Sequence, residues 1–109
     1  MKGKIVLVPF PFTDLTAAKL RPALVIHESD RDVILAFVSS RIPSRPSREE
    51  VLMKKDQVGF ERTGLKTDSV IRLDKVATVL KDLIVGELGE LDEATKDKVN
   101  SKLAMIMRI

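Results

Sequence analysis

The chain has 109 residues, the size of one domain with one hydrophobic core, and carries no cysteine, which excludes disulfides, cysteine-based zinc sites and thiol chemistry. Its 19 basic and 16 acidic side chains leave a net charge of +3, which permits an anionic partner without requiring one. It shows no apolar run with the character of a signal peptide or a membrane span, and the cytoplasm is the expected compartment.

Residues 4–8 form a β-branched run, ended by Pro9 and Pro11, and predict a first strand that leads into an aromatic, proline-rich loop. Residues 22–27 predict a second strand, with Arg21 at its mouth and Pro22 fixing the backbone behind it. Ser29-Asp30-Arg31 makes the turn into a third strand over residues 32–38. These early strands are almost continuously apolar, so both of their faces are expected to be covered. From Arg41 to Arg48 the chain reads Arg-Ile-Pro-Ser-Arg-Pro-Ser-Arg, with three arginines and no acid. Its prolines and serines keep it out of helix and central strand, leaving a solvated loop or a basic flap over a nucleic-acid groove.

Residues 51–53 suggest a short fourth strand, followed by a polar stretch over 54–67 broken by Gly59 and Gly64. Residues 69–73 and 76–80 read as two more strands, and 84–88 as a last one closed by Gly89. Val99, Leu103, Ile106 and Met107 then recur at helical spacing, and Asp92 suits an N-cap. A helix over residues 93–107 is predicted, its apolar stripe serving core or dimer packing. Many short strands with turn signals and one terminal helix indicate a mainly β (α+β) fold, a small and strongly bent barrel spanning residues 1–109 as one domain.

The inventory of reactive groups is thin. His27 is the only histidine and ends a strand, while Asp30 and Asp32 read as turn residues, so no metal site is expected. Gly64, Gly86 and Gly89 lack the spacing of a phosphate-binding loop, and no Gly-x-Ser-x-Gly elbow is present. Three polar spots remain: Arg21, the pair Ser39-Ser40, and Arg72 with Asp74. Spaced by two, Arg72 and Asp74 are expected on one face of a strand. Their plain role is a surface ion pair worth about 0–1 kcal/mol. Their chemical role is sharper. A metal-free RNA cleaver must deprotonate a ribose 2′-OH, stabilise charge on phosphorus and assist the leaving 5′-oxygen. One carboxylate, two guanidiniums and a hydroxyl can do this.

At these residues the sequence resembles the PemK/MazF family, the mRNA-cleaving toxins of type II toxin–antitoxin pairs. The resemblance is carried by Ile5-Val6-Leu7-Val8-Pro9-Phe10-Pro11-Phe12-Thr13-Asp14-Leu15, Arg21-Pro22-Ala23-Leu24-Val25-Ile26, Val38-Ser39-Ser40 and Asp68-Ser69-Val70-Ile71-Arg72-Leu73-Asp74. It implies an SH3-like barrel with a C-terminal helix, working as a homodimer. It also implies metal- and cofactor-free cleavage of single-stranded RNA to a cyclic phosphate and a 5′-hydroxyl, with a cognate antitoxin over the groove. Arg21 then matches the phosphate-gripping arginine, Ser39 stands where threonine is usual, and Arg72 and Asp74 match an acid and base pair. Ser40, Arg41, Arg45, Asp68 and Val70 are the implied RNA contacts. Some relatives carry a glutamate or histidine before the arginine. Here residues 13–20 offer only Asp14 and Lys19 as charged groups, which moves the base role to Asp74. With no Trp or Tyr, base stacking falls to the four phenylalanines or to arginine planes. Two other readings of the same fold are a non-catalytic RNA- or antitoxin-binding module and a toxin that poisons DNA gyrase.

Overall fold

The computed structural model describes residues 1–10 and 19–109. Six strands form one sheet in the order β4-β5-β3-β2-β1-β6, with every neighbouring pair antiparallel. They are β1 (Lys4–Phe10), β2 (Lys19–Glu28), β3 (Asp32–Ser39), β4 (Glu50–Met53), β5 (Ser69–Leu80) and β6 (Gly86–Glu90). A single helix, α1 (Glu93–Ile106), closes the chain, and a short 3-10 turn occupies Phe60–Thr63. The mainly β architecture with a C-terminal helix is the expected one.

The sheet curls because its register breaks in three places. Leu88 is the extra residue of β6 between the Ile5 and Val6 pairings, and Ile26 is the extra residue of β2. On β5, Ala36 pairs with Val76 while Phe37 pairs with Arg72, so residues 73–75 have no partner on β3. Such bulges bend a strand and add twist. The third one corrects the sequence reading. Residues 69–73 and 76–80 are one bent strand rather than two.

Period-2 alternation then divides the apolar residues between two faces. One face carries Ile5, Leu24, Ala36, Ile71 and Leu73, covered by Leu91, Val99 and Phe60. The other carries Val6, Val8, Ala23, Val25, Val33, Leu35 and Val79, with Phe37, Ala77 and Ile84 packed against them. Both faces are thus apolar, which is why the early strands lack a polar alternation. Helix α1 starts at Asp92, whose carboxylate accepts the Thr95 amide at 3.0 Å. Val99 is buried, Leu103 and Ile106 pack on the first face, and Met107 is exposed at the helix end.

Two further boundaries differ from expectation. Strand β2 begins at Lys19, so Arg21 lies within the ladder, paired with Val8, rather than at a strand mouth. Strand β6 runs two residues later than predicted, and Gly89 sits inside it, paired with Ile5. A side chain at Gly89 would collide with the carbonyl of Arg62, so glycine is there for the close approach of the 3-10 turn and not to end the strand.

Candidate functional site

The second face of the sheet changes character toward one end. Past Val8, Ala23 and Leu35, the same alternation places Phe10 on β1, Arg21 on β2, and Phe37 and Ser39 on β3. Arg72 joins them from β5, opposite both Phe37 and Glu50. An open groove of about 370 Å³ results, lined by Phe10, Arg21, Pro22, Phe37, Val38, Ser39, Ser40, Arg41, Arg72 and Lys75. The described lining therefore carries four cations, two serine hydroxyls and two aromatic rings, and no carboxylate.

Each group is held by its element. Arg21 is exposed and fixed by its pairing with Val8. The Ser39 hydroxyl oxygen accepts the Arg41 amide at 3.1 Å, which orients the side chain and leaves its O–H able to donate. The Phe10 and Phe37 rings lie 4.6 Å apart, tilted by 59°. Arg72 is half-buried, and its Nε is buried with no hydrogen-bond partner.

Behind Arg72 lies Glu50, only 8 % exposed. Its carboxylate accepts the Ser47 amide at 2.8 Å and the Ser47 hydroxyl at 2.9 Å. These two hydrogen bonds, in that order, and then the Arg72 charge hold the Glu50 carboxyl below its ordinary pKa, against the opposing effect of burial. Glu50 had no part in the sequence reading, nor had Lys75. A visible signal for Glu50 was the spacing Ser47-x-x-Glu50, that of a side chain folding back on a turn.

Of the candidate residues, Arg21, Ser39, Ser40, Arg41 and Arg72 share the groove. Asp74 does not. It is exposed in the bulge of residues 73–75, which turns Lys75 and not Asp74 to the groove lining, and it makes no ion pair with Arg72. The acidic residue directly opposite Arg72 in the register is Glu50, which likewise makes no ion pair with it. Asp68 is engaged elsewhere, its carboxylate accepting the Lys55 amide at 2.7 Å. Val70 is 0 % exposed and offers a base no surface. Arg45 is exposed in the segment between β3 and β4 but does not line the groove. That segment is tied down at its far end, where Lys102 of α1 donates to the Arg48 carbonyl at 3.1 Å. Pro11, Phe12, Thr13, Asp14 and Leu15 lie outside the described residues.

His27 is an exposed strand residue. Among the described residues, no group of three or more His, Asp or Glu side chains could hold a metal ion. Also among them, no helix is long and apolar enough to cross a membrane.

The curled antiparallel sheet with its terminal helix agrees with the family comparison. Residues 1–107 match the model for the PemK-like, MazF-like toxin of type II toxin–antitoxin systems, and the chain belongs to that family. In solved structures it is similar to a mycobacterial endoribonuclease in complex with its cognate antitoxin, at 21 % identity and a TM-score of 0.71, over 98 % of this chain and 93 % of that one. It is also similar to the Mycobacterium tuberculosis toxin MazF-mt6, at 17 % identity and a TM-score of 0.73, over 97 % of each chain. At such identities these likenesses establish the fold. No curated protein matches the chain.

Proposed function

We propose that this toxin is an endoribonuclease that cuts single-stranded RNA by attack of the ribose 2′-oxygen on the adjacent phosphorus, without a metal ion. The observation that carries the reading is the meeting of Arg21, Ser39 and Arg72, from three strands, in one groove whose described lining has no carboxylate. The transition state gathers negative charge on the phosphoryl oxygens. Two guanidiniums stabilise that charge, and Arg21 as a planar fork can hold two oxygens at once. The Ser39 hydroxyl adds a donor. Phe10 and Phe37 give an unpaired base an aromatic surface, which a duplex with its bases stacked cannot use. As the O2′–P bond forms the P–O5′ bond breaks, and the proton that the 2′-OH gives up to solvent is matched by one taken up at the departing 5′-oxygen, leaving a 2′,3′-cyclic phosphate and a 5′-hydroxyl.

A cognate antitoxin and a second copy of the chain complete the reading. An antitoxin that places carboxylates in the groove would meet four cations there.

The test is incubation of the pure protein with a defined long RNA in excess EDTA, followed by mapping of the cut ends. Cleavage is expected to persist in chelator, and its products are expected to carry cyclic phosphate. Activity that EDTA abolishes and magnesium restores would refute the metal-independent reading.

A further inference from the structure

We infer that Glu50 is a positioning residue for Arg72: a buried carboxylate, itself fixed by Ser47, that sets where the Arg72 guanidinium stands in the groove. For its catalytic consequence this rests on the ribonuclease reading above.

Arg72 occupies the middle of a three-strand row. On β3 its direct partner is Phe37, and on β4 it is Glu50. Directly opposed residues of an antiparallel pair share a face, with Cβ atoms about 5 Å apart. The row therefore runs from Phe37 through Arg72 to Glu50 on one face of the sheet, with Phe37 and Arg72 lining the groove and Glu50 buried beyond them. Glu50 is almost completely buried, whereas the Glu28, Glu87 and Glu90 carboxylates of the salt bridges are far more exposed. A buried charge is costly unless compensated, and the Arg72 charge helps to compensate this one.

Reciprocally, the Arg72 Nε is buried without a hydrogen bond. With no hydrogen bond to hold that Nε–H among the described residues, the charge of Glu50 across the strand pair is the influence proposed to orient the guanidinium. Glu50 in turn is rigid. Both Ser47 hydrogen bonds reach the same carboxylate oxygen, and the Glu50 amide donates back to the Ser47 carbonyl at 3.1 Å. The adjacent Glu49 carbonyl accepts the Leu73 amide at 2.9 Å, which locks this turn to the start of the β5 bulge.

The plainer role for Glu50 is closure of the Ser47–Glu50 turn alone. Three variants separate the two. Glu50→Gln keeps an acceptor oxygen for Ser47 and removes the charge. Ser47→Ala removes the hydroxyl bond and keeps the charge. Arg72→Ala removes the positioned group. The first readout needs no RNA: the Arg72 Nε–Hε signal in ¹H–¹⁵N NMR, assigned by its absence in Arg72→Ala. Glu50→Gln is expected to shift that signal and speed its exchange with solvent, and Ser47→Ala to leave it close to the parent. The second readout is the single-turnover cleavage rate. Glu50→Gln is expected to slow it by about tenfold or more, since small misplacements of a charged group are costly, while RNA affinity stays within about threefold. Combined with Arg72→Ala, it should add no further loss.

An Arg72 signal unmoved in Glu50→Gln overturns the inference, as does a Ser47→Ala protein that reproduces the Glu50→Gln changes, or losses that simply add. Should Glu50→Gln fail to fold, Glu50→Asp draws the charge back by one methylene and must still shift the Arg72 signal, an unmoved signal again overturning the inference. If the parent cuts no RNA, the ribonuclease reading fails by itself, and the NMR comparison still decides the place of Glu50.

Discussion

Arg21 and Arg72 reach the groove from strands that β3 separates, and Ser39 stands on β3 between them. On the proposed ribonuclease reading, an RNA phosphate bound there would be gripped from two sides, so losing either guanidinium would remove charge stabilisation that the other cannot replace. Arg21→Ala is expected to lower the single-turnover rate by about 10²–10³ with an unchanged melting temperature, because the side chain is exposed and its backbone pairing survives. A rate within about twofold of the parent would make Arg21 an ordinary surface residue. Ser39→Ala is expected to be slower than the parent and Ser39→Thr to match it, since the hydroxyl is the chemical content of the position. Asp74 is different. The family resemblance gives it the base role, but Asp74 is not among the residues that line the groove. Asp74→Asn should therefore cost less than about tenfold, well below the arginine losses. A loss equal to that of Arg21→Ala would restore Asp74 as the base. The cations and the hydroxyl were legible because each has a residue type whose chemistry can be read alone. Glu50 was not, because a glutamate heading a short apolar run reads as solvated, and only the fold shows that it is buried, at the register position opposite Arg72.

Among the elements, the strands of continuous apolar character and the capped helix follow from pattern, and α1 ends one residue before the predicted limit. The misplaced boundaries share a cause. Apolar runs mark where side chains are buried, whereas strands end where backbone pairing ends. Ile84 packs on the second face without being part of β6, and β6 starts at a glycine because pairing with Leu7 of β1 starts there. Gly89 tests this. Gly89→Ala places a methyl group against the backbone of Arg62 and Thr63, which cannot rotate away, and is expected to destabilise by about 1–3 kcal/mol in urea unfolding. Stability close to the parent's would mean that the 3-10 turn yields easily. The end of β2 is secured by charge. Lys81 lies 2.8 Å from the Glu28 carboxylate, and that hydrogen bond, followed by one from the terminal ammonium, lowers the Glu28 pKa from 4.5 to about 2. A depressed folded-state pKa contributes stability that is present above the unfolded value and lost as pH falls through the folded one. The difference in melting temperature between the parent and Glu28→Gln should therefore be largest above pH 4.5 and vanish toward pH 2. A difference constant across that window would assign Glu28 a packing role.

On the scale of the whole molecule, the continuous apolar strands need no second copy to cover them. Val6, Val33 and Leu35 on one face and Ile5, Ile71 and Leu73 on the other are fully buried within one chain. One cluster of apolar residues that a single copy leaves uncovered lies at the end of β5 and in the turn after it, where Leu80, Leu83 and Val85 are 54 %, 40 % and 60 % exposed. Single exposed apolar residues are ordinary, but three within six positions, on a backbone tied down by the Ile84 and Val85 amides, make a fixed apolar surface. Closed twofold pairs are the commonest way to cover such a patch. The chain is accordingly expected to be a dimer by light scattering at micromolar concentration. A Leu80→Lys, Val85→Lys double variant is expected to be monomeric, with its helix and strand content intact by circular dichroism. A monomeric parent would refute the dimer. A double variant that remains dimeric would place the contact on another surface, with the exposed Met105, Met107 and Ile109 next to be substituted.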